Sequence, residues 1–481
     1  MAEAQTPEEE KEKGKQMIAY LLLGFCSFLI AYALRVKRTF FYRVALASLS
    51  LLNELISEED EDSKIDGIQK RTNALLFALL KLIVLLALAF LIGSSPIFVY
   101  VQGNAQEFST FSFGSFYSIL SISIGASIPF LIPLTSTSEY SELSQLLHRL
   151  FLDNYNIADK LFSWERKRMA KKGLSRNVQF VIVTGLARAG TTSLMLNLSK
   201  IDQFSSLSYA NMPLLTAPNL WRKIYTPKSK KLKERSHQDG ILIGLESKEA
   251  LEEYFFKMKT KDAFIQDNFL VQHVVSDEVY EAYLDYQSIV KNDNEKIYLA
   301  KNNNFILRYK SMRQRNSQFL VLLLFRDPLS HAASLLDKHR YYVKSQQEDP
   351  FVLEYMNWLG HHEFGNNQKA FSFSEDDALS GLDKNSINYW LASWINYYTQ
   401  ALKMQDEQTL FLNYKTYCNS PNEVLQLVLN KVHLDLQLPK MEPYRNTRKA
   451  DVQASENLMK EAEKLYVKLC ALSDVQLKHT H

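Results

Sequence analysis

Three largely apolar stretches in the first 140 residues of this 481-residue chain carry no charge: residues 17–34, 82–101 and 116–134. They are 18, 20 and 19 residues long. A hydrocarbon core about 30 Å thick is crossed by roughly 20 apolar residues in a helix, the form that satisfies its own backbone hydrogen bonds. Each run is therefore expected to span or enter a bilayer, giving an all-α membrane region over residues 17–135. The first run is not a secretory signal, because no small-residue cleavage site ends it and Arg35, Lys37 and Arg38 follow directly. The third contains Pro129 and Pro133 among many serines, so a re-entrant or interfacial hairpin is its alternative. Residues 39–56 read as a helix with Phe, Leu and Val on one face, lying on the membrane. The acidic run 57–63 reads as a solvated loop.

Lys and Arg placement sets an expected orientation. Residues 35–81 carry eight of them, residues 102–115 carry none, and Arg166, Lys167, Arg168, Lys171 and Lys172 follow the third run. The 102–115 loop is expected outside and everything beyond residue 135 on the cytoplasmic side. Lys11, Lys13 and Lys15 draw the N-terminus inward as well, which fits a first run that is only half inserted. The mean hydropathy of −0.20 would suit a soluble protein, so the apolar residues are concentrated at one end. A net charge of +3, from 56 Lys+Arg against 53 Asp+Glu, gives no reason to expect nucleic acid. Cys26, Cys418 and Cys470 make no disulfide framework and no zinc spacing, and no metal is expected. The expected organisation is a charged tail over 1–16, the membrane region over 17–135, an amphipathic helical connector over 136–177 and an α/β domain over 178–481.

In that last part, strand-like runs at 178–184, 297–300, 319–325 and 409–412 alternate with helical patterns at 192–200, 248–257, 278–289, 304–313, 329–342 and 386–404. A terminal helix is expected at 455–472. Alternation of this kind predicts a parallel sheet flanked by helices.

The strand 178–184 runs into Gly185-Leu-Ala-Arg188-Ala189-Gly190-Thr191-Thr192-Ser193 and then a helical pattern. Strand, glycine-framed turn and helix start aim backbone N–H groups at a phosphate. Gly185 and Gly190 let the chain turn and approach closely, and Thr191 and Thr192 can donate hydroxyls. A nucleoside-triphosphatase loop would read G-x-x-x-x-G-K-[ST]. Here Thr191 stands where that Lys would be, and a cation sits inside the loop at Arg188. That argues for a phosphate ester other than ATP or GTP.

Arg188-Ala-Gly-Thr-Thr-Ser193 resembles the R/K-S-G-T-T-x loop of sulfotransferases, which bind the 5′-phosphosulfate of 3′-phosphoadenosine 5′-phosphosulfate (PAPS). A second segment agrees. The apolar run 319–325 leads into Arg326-Asp-Pro-Leu-Ser-His-Ala-Ala-Ser334, with Arg326 and Ser334 eight positions apart. In that family an Arg and a Ser so spaced hold the 3′-phosphate. Lys301, at the end of the 297–300 strand, matches the Lys that meets the bridging oxygen of the phosphosulfate. Asn413-Tyr-Lys-Thr-Tyr is similar to the family's Y-E-D-L segment, with Lys415 and Thr416 where acidic residues are usual. The resemblance covers residues 178–440 and is strongest to bacterial members. It implies the sulfotransferase variant of the P-loop NTPase fold, PAPS as sulfuryl donor, and Gly185, Arg188, Ala189, Gly190, Thr191, Thr192, Ser193, Arg326 and Ser334 as donor-binding residues. Arg188 and Lys301 would stabilise charge on the leaving oxygen. The rival readings are a P-loop kinase or NTPase, which lacks the loop Lys and leaves Arg326 and Ser334 unexplained, and a non-catalytic, membrane-tethered nucleotide-binding protein.

Sulfuryl transfer also needs a group to take the acceptor's proton. Soluble small-molecule members carry a His two residues after the Lys, but that position is Asn303. Glu246 and His237 are the candidates, each with a surface or capping role as its alternative. His331 reads as structural. His361 and His362 could line an acceptor pocket. The basic run 222–235 reads as a loop or an attractor of anionic acceptors or lipid head groups, and Trp390 and Trp394 as core. The expected partners are the lipid bilayer and a lipid or glycan acceptor. The single N-x-[ST] sequon, Asn197-Leu198-Ser199, falls on the helix after the phosphate loop, which favours the cytoplasmic side.

Overall fold

The longer strands of the main sheet, at Phe180–Thr184, Ile297–Lys301, Leu320–Phe325 and Thr409–Asn413, are mostly apolar and buried along their length, as strands covered on both faces require. The computed structural model describes residues 7–57, 61–104, 112–132, 141–225, 233–234, 242–243, 250–373, 379, 381–444 and 453–478. The chain divides into two units, Met1–Leu150 and Phe151–His481.

The first unit is helical: α1 (Pro7–Val36), α2 (Thr39–Ile56), α3 (Glu61–Gly103), α4 (Phe116–Ser127) and the start of α5 (Glu142–Leu152). α1 packs against α3 and α4, and α2 against α3. Among the described residues, three helical stretches are long and apolar enough to cross a membrane: Lys13–Val36, Thr39–Ile56 and Asp62–Gly103. The helix expected to lie on the surface is therefore one of them. The third expected span is shorter than expected, because α4 has only 12 residues before a 3-10 turn, Ile128–Leu131, carrying Pro129 near its start. Proline has no N–H to extend the helical ladder. On α3, Phe77, Ile83, Phe90, Leu91 and Ile92 are all exposed.

In the second unit, α6 (Tyr155–Lys171) buries Ala158, Phe162, Glu165 and Met169, one stripe at helical spacing. Then come β1 (Phe180–Thr184), α7 (Thr191–Leu198), β2 (Phe204–Ser205), α8 (Pro218–Ile224), α9 (Glu253–Thr260), β3 (Phe269–Val271), α10 (Asp277–Lys291), β4 (Ile297–Lys301) and α11 (Tyr309–Arg315). They are followed by β5 (Leu320–Phe325), α12 (Pro328–Glu348), α13 (Pro350–Trp358), β6 (Ala370–Ser372), α14 (Ile387–Ala401), β7 (Thr409–Asn413), α15 (Tyr414–Asn419), α16 (Pro421–Lys431) and α17 (Glu456–Lys478). A short antiparallel ladder pairs Lys233–Glu234 with Leu242–Ile243.

The main sheet has the order β2-β4-β1-β5-β7, and every pairing is parallel. Val183 lies opposite Lys301, Thr184 opposite Leu323 and Phe325 opposite Asn413. The carboxyl ends of β1, β4, β5 and β7 thus share one edge, where open α/β sheets bind ligands. Val181, Leu299, Leu322 and Leu410 meet Leu194 of α7 and Val428 of α16 in the core. β3 and β6 form a small parallel pair of their own.

The helix expected over 304–313 is broken. Asn302 caps a 3-10 turn, Asn303–Leu307, by accepting a hydrogen bond from the Asn304 N–H at 3.0 Å, and α11 starts only after Arg308.

Candidate functional site

The loop between β1 and α7 is shaped by two glycines. Gly185 has φ 142°, and a Cβ there would stand 2.5 Å from the Leu324 carbonyl oxygen on β5. Gly190 has φ 101°, and its Cβ would strike the Tyr414 ring at 2.3 Å. Neither position admits a side chain. Between them Arg188 also adopts a left-handed backbone, φ 73°. The Ala189 N–H donates to the Leu186 carbonyl at 3.1 Å, closing the turn, and α7 begins at Thr191.

Three distant segments converge on this loop. Arg188 Nε donates to Ser334 Oγ of α12 at 3.2 Å, linking residues 146 positions apart. Lys301 Nζ, at the end of β4, donates to Thr192 Oγ1 at 2.8 Å. The Arg326 guanidinium, at the end of β5, lies over the Tyr414 ring at 5.4 Å, the same ring that abuts Gly190. Two guanidiniums, an ammonium and the N-terminus of α7 thus gather around one glycine-framed turn, an arrangement suited to a polyanion. Thr191, Thr192, Lys301 and Ser334 are buried, and Arg326 is 9% exposed. Ala189 is fully buried, and Ser193 Oγ faces the Tyr417 hydroxyl at 3.4 Å.

His331 takes a structural place. Its Nε2 donates to the Ala187 carbonyl at 2.7 Å, which fixes the neutral tautomer and ties α12 to the loop. Burial, aided by the charges of Arg326 and Arg188, lowers its pKa to about 3. Tyr397 and Tyr398 of α14 brace the same edge. Tyr398 donates to the Leu324 carbonyl at 2.8 Å and Tyr397 to the Asn303 carbonyl at 3.2 Å. Trp394 is core, 4.7 Å from the Tyr398 ring. Trp390 is buried too, yet one face lines a pocket.

Glu246 and His237 lie outside the described residues, as does most of the basic run 222–235. The structure brings forward a different group. Asn303 Nδ2 donates to Glu363 Oε1 at 3.0 Å, and Glu363 Oε2 lies 3.5 Å from His361 Nδ1. Burial alone would raise the Glu363 pKa. The positive charge of His361 and hydrogen bonds from His361, Asn303 and the Glu363 backbone outweigh it, holding the value at about 2. His362 is buried with Nδ1 on the Asn367 carbonyl, and burial lowers its pKa to about 4. Glu363 also walls an open pocket that reaches Leu186 and Ala187 of the loop. The available sequence signal was the position of Asn303, two residues past Lys301. Among the described residues no group of three or more His, Cys, Asp or Glu could hold a metal ion.

No family model matches the chain, and no curated protein matches it. Among solved structures it is similar to a sulfotransferase from Mycobacterium tuberculosis H37Rv, at 13% identity over 70% of this chain and 85% of that one, with a TM-score of 0.38. A sulfotransferase from Alicyclobacillus acidocaldarius is similar at 12% identity, over 62% of this chain and 96% of that one, with a TM-score of 0.30. One from Mycobacterium avium is similar at 10% identity, over 68% and 76%, with a TM-score of 0.35.

Proposed function

We propose that this chain is a membrane-anchored sulfotransferase that moves a sulfuryl group from PAPS to a hydroxyl or amine of a lipid or carbohydrate acceptor. The observation that carries the reading is the convergence of Arg188, Ser334, Lys301 and Thr192, drawn from the loop after β1, the end of β4 and two helices. A donor with phosphate at both its 5′ and 3′ ends needs two anion sites. The loop residues 185–193 supply one, and Arg326 with Ser334 supplies the other. In sulfuryl transfer, charge accumulates on the oxygen leaving with the phosphate. The ammonium of Lys301 and the guanidinium of Arg188 are the groups to neutralise it.

The membrane anchor rests on the three long apolar helices and on the exposed aromatic and aliphatic side chains of α3, which need a lipid solvent. The lysines and arginines that flank the spans favour a cytoplasmic catalytic unit.

Ligand-dependent thermal stability tests the reading. Adenosine 3′,5′-bisphosphate at about 100 times its Kd is expected to stabilise the full-length protein by about 2.7 kcal/mol. ATP with Mg²⁺ is expected to do less. Arg188→Ala and Arg326→Ala are each expected to abolish the effect. No stabilisation of the wild type, or undiminished stabilisation in both variants, refutes the proposal. Preferential stabilisation by ATP–Mg²⁺ favours a kinase or NTPase.

A further inference from the structure

A carboxylate from a distant segment is brought to Asn303. Asn303 stands two residues beyond Lys301, and its Nδ2 is committed to Glu363 Oε1 at 3.0 Å. A carboxylate there only accepts, so the amide orientation is fixed and Oδ1 points elsewhere. Asn303 Oδ1 is buried and has no hydrogen-bond partner among the described residues. A buried acceptor of this kind calls for a donor that the described residues do not supply.

The pocket that Glu363 walls states what carries the acceptor hydroxyl. Leu186, Ala187, Leu335, Phe371 and Trp390 give it an apolar wall beside the phosphate loop. Its other polar lining groups are engaged within the protein. Ser393 Oγ donates to the Tyr389 carbonyl, Asn396 Nδ2 to the Phe371 carbonyl, and Gln368 Oε1 accepts from Tyr389. Lys369 Nζ donates to the carbonyls of Gln266 and Asp267. Glu363, fixed by Asn303 on one oxygen and facing His361 with the other, is the ionised group left on the wall. Its charge disfavours an anionic acceptor.

We propose that Glu363 is the catalytic base of this site, that Asn303 and His361 are its positioning residues, and that the pocket takes an uncharged hydroxyl on an apolar body. The proposal rests on the sulfotransferase reading above. In the step, the acceptor oxygen bonds to sulfur while the bridging S–O bond breaks, its electron pair leaving on the phosphate oxygen. The hydroxyl proton passes to Glu363 and then to water. A weak base suffices, because that proton becomes strongly acidic as the O–S bond forms.

The test uses full-length protein in nanodiscs with radiolabelled PAPS and three probes: 2-naphthol, dodecan-1-ol and glucose. Label is expected on 2-naphthol or dodecan-1-ol in preference to glucose. Glu363→Ala is expected to lower turnover at least 100-fold, with bisphosphate stabilisation unchanged and added formate restoring at least tenfold. Glu363→Gln should lose turnover without rescue. Asn303→Ala and His361→Ala should lower kcat more than they raise KM, and formate should not restore either. Wild-type turnover in Glu363→Ala overturns the assignment of the base. So does loss in Glu363→Ala that formate leaves unchanged while the bisphosphate still binds. Labelling of glucose alone, or of no probe by protein that binds the bisphosphate, overturns the acceptor class. Failure of the wild type to bind the bisphosphate refutes the sulfotransferase reading itself.

Discussion

Arg188 holds a left-handed backbone that costs a non-glycine residue about 1 kcal/mol or more, and it does so at the centre of the loop after β1. Glycine adopts the same φ without strain, so Arg188→Gly separates the charge from the backbone. Its thermal stability is expected to equal or exceed the wild type, by up to about 1 kcal/mol, while bisphosphate binding is lost. Gly190→Ala is expected to fail on both counts. Its φ of 101° and the Tyr414 ring 2.3 Å from the added Cβ should cost about 1–3 kcal/mol and displace the ring that faces Arg326. Calorimetry on the two variants, with and without bisphosphate, reads both effects. An Arg188→Gly protein that still binds would remove Arg188 from the site. Arg188, Lys301, Arg326 and Ser334 were legible in the sequence because each lies at a fixed spacing from a strand end or a glycine. Glu363 was not, because the partner that gives it meaning, Asn303, stands 60 residues away.

At the scale of elements, four of the five strands of the main sheet were readable, whereas the short β2, the β3–β6 pair and the breaks between helices were not. Residues 180–184 and 320–325 are fully buried along their length, so their composition alone marks them. The helix expected over 304–313 breaks at Arg308, which no local pattern announces. Arg308 is fully buried and makes two 2.6 Å bonds to Glu253 of α9, 55 positions away. Its guanidinium lies 4.0 Å from the Phe256 ring and 5.1 Å from that of Phe264. The pair joins α9 to the segment leaving Lys301, so it sets the position of the β4 end. Arg308→Met alone strands a buried carboxylate and is expected to cost about 3–5 kcal/mol. The double variant Arg308→Met/Glu253→Leu should recover most of that loss, as apolar replacements of buried ion pairs do. Denaturation midpoints of the two variants decide it. A double variant as unstable as the single one would mean that the pair's geometry, not its charge balance, holds the elements together.

At the scale of the whole molecule, the two units report separately. All five tryptophans (Trp164, Trp221, Trp358, Trp390 and Trp394) lie in the second unit, so tryptophan emission follows that unit alone. Three of its histidines, His331, His339 and His362, are buried and a fourth, His273, is half-buried. Burial is the largest cause in each, lowering His273 and His331 to about 3 and His339 and His362 to about 4. A folded-state pKa depressed below the unfolded value of about 6.5 means that the unfolded chain binds the extra proton. Each histidine's contribution is therefore intact above pH 6.5 and is lost as pH falls toward 3 or 4. Glu165 and Glu252 act in the opposite sense, because burial raises both and the folded state holds their protons longer. Stability is therefore expected to fall as the unfolded-state histidines take up protons between pH 6.5 and 5, with the two carboxyls opposing the fall. Tryptophan-monitored melting of the full-length protein should show Tm falling steadily across that window. His331→Gln keeps an N–H donor for the Ala187 carbonyl but cannot take a proton, so it should flatten the slope by about one proton. A Tm independent of pH, or a slope unaltered in His331→Gln, would show that His331 is protonated inside the fold and does not serve as the loop's neutral donor.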